Sequence, residues 1–144
     1  MRQLRIFFYK PVTQKVNYKP TDEYMITFKE KYKDNLILVK SFEFAKKIVI
    51  YTEELEAKRK FVVANQLLKS GTSIGANMKE AQNAESKADF IHKIKIAMKE
   101  AEETEFWLFL CNELENYPSP QELLNELFEI LKITNKIIST SKNK

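Results

Sequence analysis

Four polar residues recur along one stretch of the chain, Lys69, Ser73, Asn77 and Glu80, at i, i+4, i+8 and i+11. On a helix that spacing lines up an amine, a hydroxyl, an amide and a carboxylate in one row. Glu102, Glu103 and Glu105 fall in a later helical segment, and antiparallel packing would set Lys69 near Glu102 or Glu105. Such a row can be a hydrogen-bonded seam that sets helix register or a subunit contact, because polar groups removed from water must be paired. It can also be a binding site, or a catalytic one. No nucleophile–base pair and no phosphate cradle accompanies it. The seam Lys69, Ser73, Asn77, Glu80 and Glu105 is therefore the expected role, and no enzymatic activity is expected.

Other chemistry fails on residue counts or spacing. The carboxylates Glu80, Glu100, Glu102, Glu103 and Glu105 invite comparison with di-metal bundles, which need two Glu-x-x-His pairs. Asp89-Phe90-Ile91-His92 has that spacing once, and His92 is the single histidine, so the chain cannot complete such a site. His92 reads as a surface residue. The lone Cys111 sits among Trp107, Leu108, Phe109 and Leu110, which predicts a buried inert thiol and excludes an intramolecular disulfide. A phosphate loop is excluded as well. Only three residues separate Gly71 from Gly75, no lysine follows, and no strand precedes. No metal, cofactor or small-molecule substrate is expected.

Nucleic acid requires a basic surface. Lys58-Arg59-Lys60 is the candidate contact, with Lys69, Lys79 and Lys87 as further candidates. The net charge of +4 is unevenly placed. Residues 1–40 hold nine Lys/Arg and four Asp/Glu, whereas residues 41–144 hold fifteen and sixteen. The excess positive charge belongs to the N-terminal segment.

The elements that must carry these residues are helical. Two glycines and four prolines in 144 residues leave little material for tight turns. Ser41 can cap a first helix whose face is Phe42, Ala45, Ile48, Val49, Thr52 and Leu55. Ala64, Leu67, Leu68, Gly71, Ile74, Gly75, Met78 and Ala81 form the stripe of a second. The two glycines leave it bare in the middle, so another helix can approach closely there. Two short helices with a turn at residues 70–77 are the competing reading. Ser86-Lys87-Ala88-Asp89 reads as a capping box for a third helix, faced by Phe90, Ile94, Ala97, Met98, Ala101, Glu105, Leu108 and Asn112. Ser119-Pro120-Gln121-Glu122 signals the start of a fourth, with Ser119 as cap. It buries Leu123, Leu124, Leu127, Leu131, Thr134, Ile137 and Ile138. Short connections between amphipathic segments predict an all-α, up-down-up-down antiparallel four-helix bundle over residues 36–144. Residues 1–35 form a partly ordered N-terminal extension in this reading. Leu4–Tyr9 is too short for a signal peptide, and no apolar run approaches a membrane span, so a cytoplasmic protein is expected.

Three blocks carry a family resemblance: SFEFAKKIVIYTEEL, QLLKSGTSIGANMKEA and SKADFIHKIKIAMKEAEETEFWL. In order and spacing they resemble the bacterial four helix bundle protein family, some members of which are encoded by intervening sequences within 23S rRNA genes. The resemblance is strong over residues 41–115, rests on pattern over 116–140, and does not reach 1–24. It implies an unbroken second helix and a homopentameric ring. The residues that match are Ser73, Ile74, Asn77 and Glu80, then Phe90, Ala97 and Glu105. Many relatives have arginine where Lys69 stands, and lysine lacks the bidentate fork. A distant relative, the accessory protein of diversity-generating retroelements, is a basic barrel that binds nucleic acid. The expectation is a homo-oligomeric interaction module, with a nucleic-acid-binding accessory protein as the alternative.

Overall fold

Side-chain caps decide where most helices begin. In a computed structural model, which describes residues 26–143, a single helical turn α1 (Phe28–Lys31) opens on Thr27. Its hydroxyl accepts from the Glu30 N–H while the Glu30 carboxylate accepts from the Thr27 N–H, a full capping box. Asn35 then caps α2 (Leu36–Ala57), accepting from the Leu38 N–H at 3.2 Å. The Asn35 amide also donates to Gln82 at 3.0 Å, tying the start of α2 to the chain just past α3 (Phe61–Ala81). Ser86 caps α4 (Lys87–Glu113) by accepting from the Asp89 N–H. The Asp89 carboxylate reaches the Glu85 N–H instead of the cap's own, so only half of the expected box forms. α5 (Gln121–Lys142) begins without a side-chain cap.

Two expected starts are corrected. Ser41 does not cap: it lies inside α2, fully buried, with its hydroxyl donating to the Leu38 carbonyl. Asn35 supplies the cap six residues earlier, which lets Ile37 and Leu38 enter the core. The buried face of α2 is accordingly Ile37, Leu38, Ser41, Phe44, Ile48, Tyr51, Thr52 and Leu55. Phe42 turns outward and is covered by Phe28 of α1, ring centroids 4.0 Å apart, while Val49 is exposed. At α5, Pro120 rather than Ser119 holds the cap position, one residue later than expected.

The four long helices alternate in direction, each packing on the next, and α5 closes back on α2. Their connections span residues 58–60, 82–86 and 114–120. The first is a Schellman turn. The Lys60 N–H donates to the Leu55 carbonyl, the Arg59 N–H donates to the Glu56 carbonyl, and Arg59 is left-handed at φ 62°. α3 is one helix through residues 70–77, so the two-helix alternative is excluded. Residues 1–24 of the expected extension, and Met25, lie outside the described residues. No described helix is long and apolar enough to cross a membrane.

Candidate functional site

α3 is the helix around which the others close, and its glycines set how closely α2 lies. A Cβ added at Gly71 would fall 2.8 and 2.9 Å from two carbons of the buried Ile48. Gly75 faces the α2 backbone, where an added Cβ would lie 3.4 Å from the Ser41 carbonyl oxygen. Side chain fills the gap at one glycine and backbone at the other. Beside them on the buried face of α3, Ser70 and Thr104 share a buried hydroxyl–hydroxyl hydrogen bond of 3.0 Å that joins α3 to α4. Buried hydroxyls elsewhere turn back on their own helix, as Thr134 does to the Ile130 carbonyl at 2.7 Å. Among the described residues no buried side-chain nitrogen or oxygen lacks a partner. The interior therefore offers no unspent polar group to a ligand.

The polar row on α3 is spent mostly on its own helix. The Ser73 hydroxyl donates to the Lys69 carbonyl at 2.6 Å, and the Asn77 amide donates to the Ser73 carbonyl at 2.8 Å. Glu80 alone crosses to α4, pairing with Lys93 at 3.1 Å. Lys69 is exposed and makes no ion pair with Glu102 or Glu105; the carboxylate that feels its charge is Glu100. Glu100 titrates above the ordinary carboxylate range because it is partly buried and lies beside Glu103, with Lys69 opposing both. Glu105 is half-buried on α4 with no side-chain hydrogen-bond partner among the described residues, and the phase of that helix explains why. Its buried stripe runs through Ala101, Thr104, Leu108 and Cys111, placing Thr104 rather than Glu105, and Cys111 rather than Asn112, against the core. The seam between α3 and α4 is thus Ser70–Thr104, a pair the sequence reading missed. Its signal was present: Ser70 precedes Gly71 on the buried side, and Thr104 lies three residues after Ala101.

The remaining candidates are dispersed. His92 is exposed on α4. Cys111 is buried, and burial pushes its thiol up. Among the described residues no three His, Cys, Asp or Glu gather as metal ligands would. Lys58 and Arg59 are exposed, whereas Lys60 lies over the Tyr117 ring at 5.0 Å. A cleft of about 230 Å³ opens between α2 and the start of α5. Three of its polar side chains are bonded within the chain. Tyr51 donates to the Pro118 carbonyl at 2.7 Å, and Lys47 pairs with Glu122 at 2.8 Å and with Glu126. The two carboxylates hold the Lys47 amine above its usual value, and Lys47 holds Glu122 below its own.

What the molecule does present is apolar surface. Val49, Ile50, Phe61, Val62, Phe106, Phe109, Leu114 and Phe128 are exposed, Val62 by 76%. All eight fall in the half of the bundle that holds the 58–60 and 114–120 connections. Ile26, at the other end, is the ninth exposed large apolar residue among those described.

Fold and surface together define a class: an antiparallel four-helix bundle with its buried polar groups paired and its free apolar surface gathered at one end. Within that class the chain belongs to the 23S rRNA-intervening sequence protein family, whose model matches residues 33–138. It is similar to a crystal structure from Bacteroides thetaiotaomicron, a protein with unknown function from the S23 ribosomal protein family. The two are 46% identical, with a TM-score of 0.68, over 71% of this chain and 97% of the other. No curated protein matches.

Proposed function

We propose that this chain is a non-enzymatic interaction module that assembles with copies of itself into a ring, of five subunits by its family resemblance. One observation carries the reading: eight large apolar side chains lie exposed in one half of the bundle. Scattered apolar residues are ordinary on a protein surface, but a concentration of them at one end marks a surface that is covered in use. Two further features support a binding role over a catalytic one. The buried polar groups are already paired, and Lys47, Tyr51 and Glu122 of the cleft beside α5 are engaged in bonds within the chain. Light scattering tests the assembly. A mass well above one chain at micromolar concentration is expected, and a strict monomer removes the reading.

The second reading is RNA or DNA binding, supported by the exposed Lys58 and Arg59. Glu53, Glu54 and Glu56 are exposed in the turn just before them and offset their charge. A gel shift on structured RNA and on duplex DNA separates the readings. Salt-sensitive retention favours nucleic acid, and no retention at about 50 mM salt counts against it.

A further inference from the structure

Opposite its buried stripe, α4 carries a second regular one. Ala88, His92, Lys95 and Lys99 are exposed along its first half, and Glu102, Phe106, Phe109 and Glu113 along its second. Successive members lie alternately four and three residues apart, the spacing by which two helices pack side by side. The first half of this stripe is cationic and holds no carboxylate. The second half is acidic and aromatic and holds no cation. Lys95, Lys99, Glu102 and Glu113 make no ion pair among the described residues. The charges on the flank toward α3 are engaged within the chain. Lys93 pairs with Glu80, the Trp107 indole N–H donates to Glu103 at 3.4 Å, and Glu100 lies beside Lys69.

The steps from Ala88 to Glu113 run the same in both directions, so an antiparallel second copy superposes stripe on stripe about a two-fold axis between Glu100 and Ala101. Each Lys99 then faces the other copy's Glu102. Each Lys95 faces a Phe106 ring and each His92 a Phe109 ring, where a cation is attracted to the aromatic face. Other arrangements lose these pairs. A parallel second copy sets Lys95 and Lys99 against themselves and Glu102 against itself, which repels. Sliding the antiparallel pair one heptad toward the C-terminus breaks Lys99 from Glu102 and sets that carboxylate against the Phe106 ring.

We infer that two copies of this chain pair antiparallel through the outer stripe of α4, with Lys99 of each against Glu102 of the other, and Lys95 and His92 over Phe106 and Phe109. The contact goes beyond the ring reading. Val49, Ile50, Phe61 and Val62 of α2 and α3 take no part in it, so it holds whether or not a ring forms. One helix pair falls at or below the low end of the roughly 1,200–2,000 Å² of stable interfaces, so pairing is expected at about 0.1 mM and above.

The test mixes isotope-labelled natural chain with unlabelled full chain carrying a nitroxide at Ala88→Cys, at about 0.3 mM; the native Cys111 is buried. Label and observed amides sit in different molecules, so broadening reports contact between copies. Selective loss of amide intensity at Phe109 and Glu113 is expected. It should vanish when both chains carry Glu102→Lys, and return when both carry Glu102→Lys together with Lys99→Glu. Unbroadened amides at Phe109 and Glu113 overturn the inference. So does broadening centred on Ala88 itself, the mark of parallel pairing, or broadening that persists in Glu102→Lys. Light scattering of the natural chain at micromolar concentration reports the ring separately, so either reading can fail without the other.

Discussion

Gly71 and Gly75 look equivalent in sequence, four residues apart on one helix, yet they meet different neighbours and answer differently to the same change. Alanine favours a helix over glycine by about 1 kcal/mol. At Gly75 the added methyl reaches ordinary contact distance from the Ser41 carbonyl, so Gly75→Ala is expected to be neutral or to stabilise by up to about 1 kcal/mol. At Gly71 the methyl runs into a branched, fully buried Ile48, whose two γ carbons both stand in the way. Overpacking of that kind costs about 1–3 kcal/mol, and Gly71→Ala is expected to be a net loss of about 1 kcal/mol. Urea unfolding of the two variants checks the contrast, and equal effects would contradict it. Arg59 makes a second prediction at this scale. It occupies the left-handed position of a Schellman turn that suits glycine. The left-handed conformation costs a residue with a Cβ about 1–2 kcal/mol, part of which glycine returns as unfolded-state entropy. Arg59→Gly should therefore raise stability by roughly 0.5–1 kcal/mol. A destabilised variant in the same unfolding measurement would show that the arginine side chain is holding the turn.

Among the elements, α3 was the most legible and α2 the least. The spacing from Ala64 to Ala81 keeps one phase, and that phase is the buried face except that Leu68 and Gly75 are only partly covered. For α2 the sequence contains two plausible caps, Asn35 and Ser41, and nothing local chooses between them. The choice is tertiary: Asn35 gains a bond to Gln82, and Ile37 and Leu38 gain burial. Starting the helix at Ser41 leaves out Ile37 and Leu38, and a separate error of phase sets Phe42 and Val49 inward in place of Phe44 and Tyr51. α4 erred by a similar rotation. Alanines and threonine do much of its packing, so its stripe has little hydrophobic contrast and Glu105 was assigned the place of Thr104. The consequence for the polar seam is direct, since Ser73 and Asn77 bond along their own helix and only Glu80 crosses over.

The α3–α4 contact also has a pH signature. Partial burial and Glu103 raise Glu100 in the folded chain, so the folded state holds this proton more tightly than the unfolded state does. Stability from this group is greatest below the ordinary carboxylate pKa and is lost as pH rises through the raised value. Glu100→Gln is expected to increase stability at neutral pH and leave it little changed at acidic pH. Thermal unfolding at both pH values measures the difference, and a variant less stable at neutral pH would contradict the assignment. Lys47 and Glu122 act in the opposite sense on the α2–α5 contact. Glu122 is held low, so its contribution is present above the ordinary carboxylate pKa and is lost as pH falls through the lowered one.

For the whole molecule, the bundle architecture was readable because apolar periodicity and short connections leave few alternatives. The surface was not, because periodicity reports which residues can be buried in one chain and is silent about apolar residues that stay outside. Phe106 and Phe128 passed unnoticed for that reason, and Phe109 was counted only among the apolar neighbours of Cys111: each sits in a helix that already has a sufficient inner face. Their place at one end, with Val49, Ile50, Phe61 and Val62, is what turns a stable bundle into a candidate for assembly. Val62 is the most exposed of them and touches little of the core, so Val62→Glu should leave folding intact, with a stability change within about 0.5 kcal/mol. It should still break assembly, which size-exclusion chromatography alongside far-UV circular dichroism would report.

The mass of the full chain in solution, followed by light scattering across micromolar concentrations, bears most directly on the proposal of a self-assembling module. A mass near five times the 17.0 kDa of one chain is predicted, falling to that of one chain in Val62→Glu. A constant 17.0 kDa for the natural sequence at every concentration would contradict it.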